Sequence, residues 1–298
     1  MKTKKKKIHA SQYIIFAILF LFTVACLAPM ILIAITSVTA QSSIAAKGIS
    51  FFPDKLSFDG WLYVWNMREK VVRAYGITIA RVIIGVGGTI LIESMCAFAV
   101  ARQNFLLRNI VMKLFLFATL FEGGLLAGYI VRTQMYHLRD TWTILMLPGA
   151  GMMHIIMMRT YIRGTISDSV VESAKMDGAS DFLTFFRIVL PLMKPSLAAL
   201  SFMGAVGKWN EWNTADLYIS KAEMKPLQNL LMSLENRIAE MESEEMQAMA
   251  HLFTEEDAVP ADATRMALLF ITLGPIMVAY PFFQKHFVKG LTVGAVKG

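Results

Sequence analysis

Three groups of residues in this chain have types and spacings that could do chemistry. The first is Glu172-Ser173-Ala174-Lys175-Met176-Asp177-Gly178, a charged segment between strongly apolar stretches, which in an apolar chain exists to touch something in water. The second is Gly207-Lys208-Trp209-Asn210-Glu211-Trp212-Asn213, where two indoles, two amides and a carboxylate fall within two helical turns. Aromatic faces meet the C–H surfaces of sugars, and amides and carboxylates meet their hydroxyls. The other reading of this run is an aromatic belt at a membrane surface, where Trp is enriched. The third group is the charges inside apolar runs, Arg81, Glu93, Glu122, Lys208 and Glu211. Charge near a bilayer centre is costly and faces a cavity or a partner. Arg81 and Glu93 lie 12 positions apart, roughly 18 Å along one helix, so they do not pair. Arg81 and Glu122 are expected near the outer interface, where a long side chain snorkels. Glu93 sits deeper, and is expected to line a path or to bond another helix.

Other chemistries find no support. Cys26 and Cys96 lie in apolar runs without metal-ligand spacing and read as small apolar residues. The 5 histidines are scattered, with no His-Glu-x-x-His pattern, so neither a metal site nor a cofactor is expected. Gly85-Val86-Gly87-Gly88-Thr89 lacks the lysine of a phosphate loop. The chain reads as a transport protein and not an enzyme, driven by a partner or by an ion gradient.

The elements that must position these residues follow from composition. With 56% apolar and 17% charged residues and a mean hydropathy of +0.53, a chain of 298 residues could not cover a water-soluble core with polar surface. Crossing the hydrocarbon takes about 20 apolar residues, and six spans are predicted, over 13–36, 75–100, 110–131, 142–160, 195–213 and 264–284. Backbone polar groups in lipid must be satisfied within a segment, so the fold class is all-α and polytopic, a single transmembrane domain over 1–298. The first span is too long for a cleaved signal peptide. Cytoplasmic flanks collect Lys and Arg. Placing Lys2 and Lys4 to Lys7 inside gives inner segments with 16 Lys and Arg against 4 Asp and Glu, so both termini are expected in the cytoplasm of a plasma-membrane protein. The formal charge of +7 is then inner-leaflet anchoring to membrane lipid, with no nucleic-acid role.

The segment 159–194 then falls inside. Ser167 or Ser169 can cap a short helix, and Ser169 with Glu172 fits a capping box. Asp177-Gly178 supplies a turn in which glycine takes positive φ. Ser180 or Asp181 can cap a second helix, with Phe182, Phe185, Phe186 and Val189 facing inward, and Pro191 and Pro195 end it. Val170, Val171 and Ala174 fall on one side, with Glu172 as a fixed charge. A leaflet-anchoring helix wants basic residues on its polar face, whereas this one carries Asp168, Glu172, Asp177 and Asp181, so a protein partner is expected.

The spacing of Glu172-Ser173-Ala174, three residues, Gly178, nine residues, Ile188, one residue and Leu190-Pro191 resembles the EAA motif of binding-protein-dependent ABC importers, with Ser173 in place of the usual Ala. Ala97-Phe98-Ala99-Val100-Ala101-Arg102, Phe121-Glu122-Gly123-Gly124-Leu125, Tyr280-Pro281-Phe282 and the terminal Gly294-Ala295-Val296-Lys297-Gly298 extend the likeness to MalG-type carbohydrate permeases over essentially the whole chain. Ala127 stands where that branch often has proline. The resemblance implies that the elbow is a coupling helix seated in a cytoplasmic ATPase. Glu172 would be its ion-pairing residue, Ala174 its close-packing one and Gly178 its turn, with Ser173 and Asp177 beside them. It implies a second permease chain, a pair of ATPase subunits, an extracellular solute-binding protein and a carbohydrate cargo of the oligosaccharide type. Trp209, Asn210, Glu211, Trp212, Asn213 and Glu93 are the expected pathway residues. The acidic outer segment 214–263 is expected to meet the binding protein. The competing class is an ion-coupled secondary transporter using Glu93 or Arg81.

Overall fold

The computed structural model describes residues 10–121, 123–241 and 261–295, with the side chains of 11–121, 123–240 and 261–284. Lys2, Lys4 to Lys7, Glu122, the acidic stretch 242–257 and the terminal motif's side chains lie outside the described residues. Among the described residues every element is helical, apart from one isolated bridge between Thr39 and Leu56. In chain order they are α1 (Ala10–Thr36), α2 (Gln41–Lys47), α3 (Asp59–Asn66), α4 (Arg68–Arg81), α5 (Gly87–Ala101), α6 (Arg108–Leu120), α7 (Gly124–Ile130), α8 (Trp142–Met146), α9 (Met152–Thr165), α10 (Asp168–Met176), α11 (Asp181–Thr184), α12 (Leu190–Leu192), α13 (Lys194–Asn210), α14 (Asn213–Tyr218), α15 (Leu227–Met241) and α16 (Ala261–Ala295). Val82–Val86, Val131–Met135 and Phe185–Val189 are π-helical.

Three helices, Ser11–Thr36, Arg68–Ala101 and Ala261–Gln284, are long and apolar enough to cross a membrane. From Ser11 to Leu27 the side chains of α1 stay open all round, Phe16 by 69% and Leu21 by 71%, as lipid solvation of an unbroken apolar helix requires, and only its last turns are partly covered. Two further stretches reach that length only as bent pairs. Arg108–Leu120 meets Gly124–Met135 at 108°, and Asp181–Leu192 meets Lys194–Asn210 at 80°. Among the described residues there are therefore three such helices, or five if each bent pair is one span, where the sequence predicts six. The difference falls on 142–160. Leu147-Pro148-Gly149-Ala150-Gly151 separates α8 from α9, because proline lacks the N–H and clashes with the preceding turn. At 14 residues, α9 is about 21 Å long, short of the roughly 30 Å of a bilayer's hydrocarbon core.

The described residues form two compact units, within Met1–Glu69 and Leu231–Leu273, and within Lys70–Leu230 and Gly274–Gly298. In the first, α3 crosses α16 so closely that a Cβ on Gly60 would lie 2.6 Å from the Ala263 carbonyl carbon. Gln41 at the start of α2 is tied to Asp262 of the same α16 turn by two hydrogen bonds. The Gln41 Nε2 donates to Oδ2 at 3.0 Å, and the Asp262 N–H donates to the Gln41 Oε1 at 3.2 Å. Arg265 pairs with Glu235 at 2.9 Å, while Leu234 and Ile238 face inward. Of the acidic stretch 235–257, residues 235–241 are described and are helical, in α15.

In the second unit, α5 and α9 pack face to face around Ala97, Phe98, Ile155, Met158 and Ile162. Val171, Phe185 and Val189 complete the same core, so the elbow 168–192 is fixed to the helical body by its own apolar residues.

Candidate functional site

Within the elbow, Ser167 stands just before α10, and its hydroxyl meets that of Ser169 at 2.8 Å instead of capping the helix. The expected capping box of Ser169 with Glu172 is therefore not formed. The C-terminus is closed by a Schellman turn. The Ala179 N–H donates to the Ala174 carbonyl at 2.9 Å and the Gly178 N–H to that of Lys175 at 3.0 Å, with Gly178 at φ +83°. Ser180 caps α11 by accepting from the Leu183 N–H at 3.2 Å, as its position after the turn predicts. Lys175 and Asp181 pair at 2.9 Å across the turn.

The faces of the elbow divide its predicted residues. Val171 and Ala174 are buried against the body, whereas Glu172, Ser173, Asp177 and Gly178 are exposed. The Glu172 carboxylate has no ion pair or hydrogen bond among the described residues. Beside it, Val170, Met176 and Phe182 stand open to solvent. Phe182 and Phe186 correct the expected inward stripe: only Phe185 and Val189 are buried. The π-helical turn over Phe185–Val189 closes i→i+5 bonds and so breaks the three-to-four repeat.

The aromatic and amide run takes a different shape from the continuous helix expected. Helix α13 stops at Asn210, Glu211 is extended, and α14 starts at Asn213. Trp209 is buried, edge-on to Tyr75 at 6.1 Å between ring centroids, with Ala74 and Leu227 around it. Asn210 accepts a hydrogen bond from Gln228 Nε2 at 3.0 Å. Asn213 and Trp212 are exposed, and the Trp212 carbonyl accepts from the buried Asn229 amide at 3.1 Å.

Glu211 forms an ion pair with Arg81, whose side chain is wholly buried. Its other oxygen accepts from the Thr214 N–H at 2.6 Å and so caps α14. Arg81 therefore does not reach for water: it is the buried cation that holds the end of α13 to α4. The sequence singles out both residues, but 130 positions separate them and no local spacing joins them. Lys208, half-buried, passes beside Gly85 in the π-helical segment, where a Cβ would lie 3.4 Å from its Cε. Arg81 and Lys208 are near enough for their charges to act on one another.

Glu93 is fully buried and bonds to another helix, one of the two roles expected for it. The Gly151 N–H donates to its Oε1 at 2.7 Å, and the His154 Nδ1 lies 3.1 Å from its Oε2. Thr89, one turn earlier, accepts from the Gly149 N–H at 2.9 Å. Together these residues of α5 satisfy the amides freed by the break at 147–151. His154 is a partner that its isolated place in the sequence does not reveal. On a neighbouring loop, Asp140 accepts from the backbone N–H groups of Ser220 at 2.6 Å and Lys221 at 3.2 Å, and the Ser220 bond above all holds its carboxyl below the usual carboxylate range. No group of three or more metal-ligating side chains occurs among the described residues.

Long apolar helices with open sides, charges bonded inside the helical body and an exposed elbow fit a multi-pass membrane protein. No family model matches the chain. Protein LplC of Bacillus subtilis (strain 168) is 31% identical over 272 residues, covering 91% of this chain and 89% of that protein. The polygalacturonan/rhamnogalacturonan transport system permease protein YtcP of the same organism is 28% identical over 285 residues, 96% of this chain and 97% of that protein. Among solved structures, a chain of a bacterial ABC transporter involved in the import of the acidic polysaccharide alginate superposes with a TM-score of 0.79, covering 96% of this chain and 100% of that one at 24% identity, a likeness of fold. The chain belongs to the permease subunits of carbohydrate ABC importers. It is accordingly a multi-pass transport subunit of the cell membrane in a system whose ATP hydrolysis belongs to a separate subunit, and the ion-coupled secondary transporter is set aside.

Proposed function

We propose that this permease is one half of an oligosaccharide pathway completed by a second permease chain, with the elbow 168–192 as its cytoplasmic coupling helix. The observation that carries the reading is the division of the elbow's faces. Val171, Phe185 and Val189 are anchored in the core, while the free Glu172 carboxylate stands beside exposed Val170, Met176 and Phe182. A rigid elbow with a bare charge and a bare apolar rim suits a cleft in a partner, here one of two ATPase subunits. Both termini are then cytoplasmic, six crossings form a single domain over 1–298, and the bent pairs and the break at 147–151 lie within the membrane against protein. Closure of the ATPases on ATP would move the elbow, and the α5–α9 body would carry that motion to the pathway.

In this reading Trp212 and Asn213, which are exposed, present an indole and an amide to sugar. Trp209 and Glu211 position them, and Asn210 is shared with Gln228. Glu93 braces the broken helix instead of touching cargo. The outer segment 214–263 would receive the solute-binding protein. ATPase activity in liposomes tests the assembly. The single chain is expected to be silent, and the full complex to respond to a sugar-loaded binding protein. Hydrolysis by the lone chain would overturn the subunit reading, and failure of any carbohydrate to stimulate the complex would overturn the cargo.

A further inference from the structure

Arg81, Glu211 and Lys208 bring two cations and one carboxylate to one place within the membrane-spanning part of the second unit. The carboxylate is used: one Glu211 oxygen meets Arg81, and the other caps α14. Lys208 has neither ion pair nor hydrogen bond among the described residues, and the nearby charge that acts on it is that of Arg81, which repels. One positive charge is therefore left over. An ammonium placed at membrane depth without a counter-charge is expensive, and such residues mark substrate and ion paths.

The backbone here is also unusual. Val82–Val86 is π-helical immediately after Arg81, and Gly85 within it leaves the room through which the Lys208 stem passes. Single π-helical turns inside α-helices occur frequently at functional sites. The exposed Trp212 and Asn213 follow within five positions of Lys208.

Resting on the carbohydrate reading above, we propose that Lys208 is the anion-recognising residue of the pathway and that the cargo is an acidic oligosaccharide, whose uronate carboxylates pair with its ammonium as they pass. Glu211 serves by occupying Arg81, which leaves a single cation to be met and keeps binding weak enough for release. An ammonium is a compact point charge on a flexible stem, suited to a carboxylate that moves through and not to one held in a fixed fork.

The test uses the complete transporter with its binding protein in proteoliposomes, supplied with uronate trisaccharides and with the same sugars as methyl esters, which keep the shape and remove the charge. In Lys208→Gln, uptake of the uronates is expected to fall about tenfold, the size of one hydrogen bond to a charged group, with uptake of the esters unchanged. Lys208→Arg, which keeps the charge but offers a fork, should restore part of the uronate rate. Equal loss for both sugars, or loss of the assembled complex, would place Lys208 against a carboxylate of the second permease chain and overturn the proposal, as would an unchanged uronate rate. Should the unmodified transporter carry neither form while a non-carbohydrate solute drives it, the carbohydrate reading falls and this inference with it.

Discussion

Arg81 ends the first half of a 34-residue helix and Glu211 is the first residue past another, and the ion pair between them ties the end of α13 to α4. The Arg81 side chain is wholly buried, while that of Glu211 is 28% exposed, so removal of the carboxylate strands a cation that cannot reach water. Glu211→Gln is expected to destabilise the assembled complex by about 3–5 kcal/mol, and Arg81→Met combined with Glu211→Gln by much less, because the orphaned charge is gone. Thermal midpoints of the three variants in detergent decide this. A double variant no more stable than Glu211→Gln alone would show that the pair is not the source of the loss.

Trp209 and Trp212 look alike in sequence and differ in surroundings, one packed on Tyr75 and the other open. Trp209→Ala should act through stability, costing about 3–5 kcal/mol as a buried aromatic truncation does. Trp212→Ala and Asn213→Ala should leave the midpoint within about 0.5 kcal/mol of the unmodified chain and raise the half-saturating sugar concentration. Normal uptake kinetics in both exposed variants would remove this run from the pathway.

Much of the helical content was legible because long apolar runs have few alternatives in lipid: α1, α4–α5 and α16 cover the first, second and last predicted spans. The break at Pro148 was written in the sequence as well, but total hydropathy over 142–160 masks a local loss of amides that only Glu93 and Thr89, about 60 positions away, make good. In the elbow, Gly178 was readable because positive φ singles out glycine, and Ser180 because a cap follows a turn. The choice of Ser167 over Ser169 as the first residue outside α10 was not, since two serines of equal capping power stand two positions apart. Pairing of Arg81 with Glu211 was equally hidden, because each charge alone is compatible with snorkelling, a pathway or a partner, and only tertiary packing selects among these.

Gly60 tests the first unit in isolation. A methyl there would enter the backbone of Ala263, at 2.6 Å from its carbonyl carbon and 2.8 Å from its oxygen, and backbone cannot swing aside as a side chain can. Gly60→Ala is expected to cost about 1–3 kcal/mol by overpacking and to separate α3 from α16, weakening the Gln41–Asp262 bonds with it. Limited proteolysis at 48–58 should quicken in the variant; unchanged cleavage and an unchanged midpoint would show that the helices can part without loss.

The elbow offers the sharpest separation of folding from coupling. At Gly178 nothing lies within 4 Å of the place a methyl would take, so crowding is not the obstacle; φ of +83° is. Left-handed backbone costs a β-carbon roughly 1–2 kcal/mol, and asparagine bears it best. Coupled transport should therefore fall in the order Gly178, Asn, Ala, Val, tracking backbone tolerance and not side-chain volume. Glu172 differs in kind: its carboxylate is exposed and has no partner among the described residues, so Glu172→Lys should leave the chain's thermal midpoint unchanged while abolishing uptake and the stimulation of ATP hydrolysis by the binding protein. Glu172→Gln, which keeps the shape and removes the charge without reversing it, should retain part of both activities. Uptake and midpoint measured side by side for these variants distinguish the two roles. If Glu172→Lys lowers the midpoint of the lone chain, the residue serves the fold; if it leaves uptake intact, no partner reads its charge.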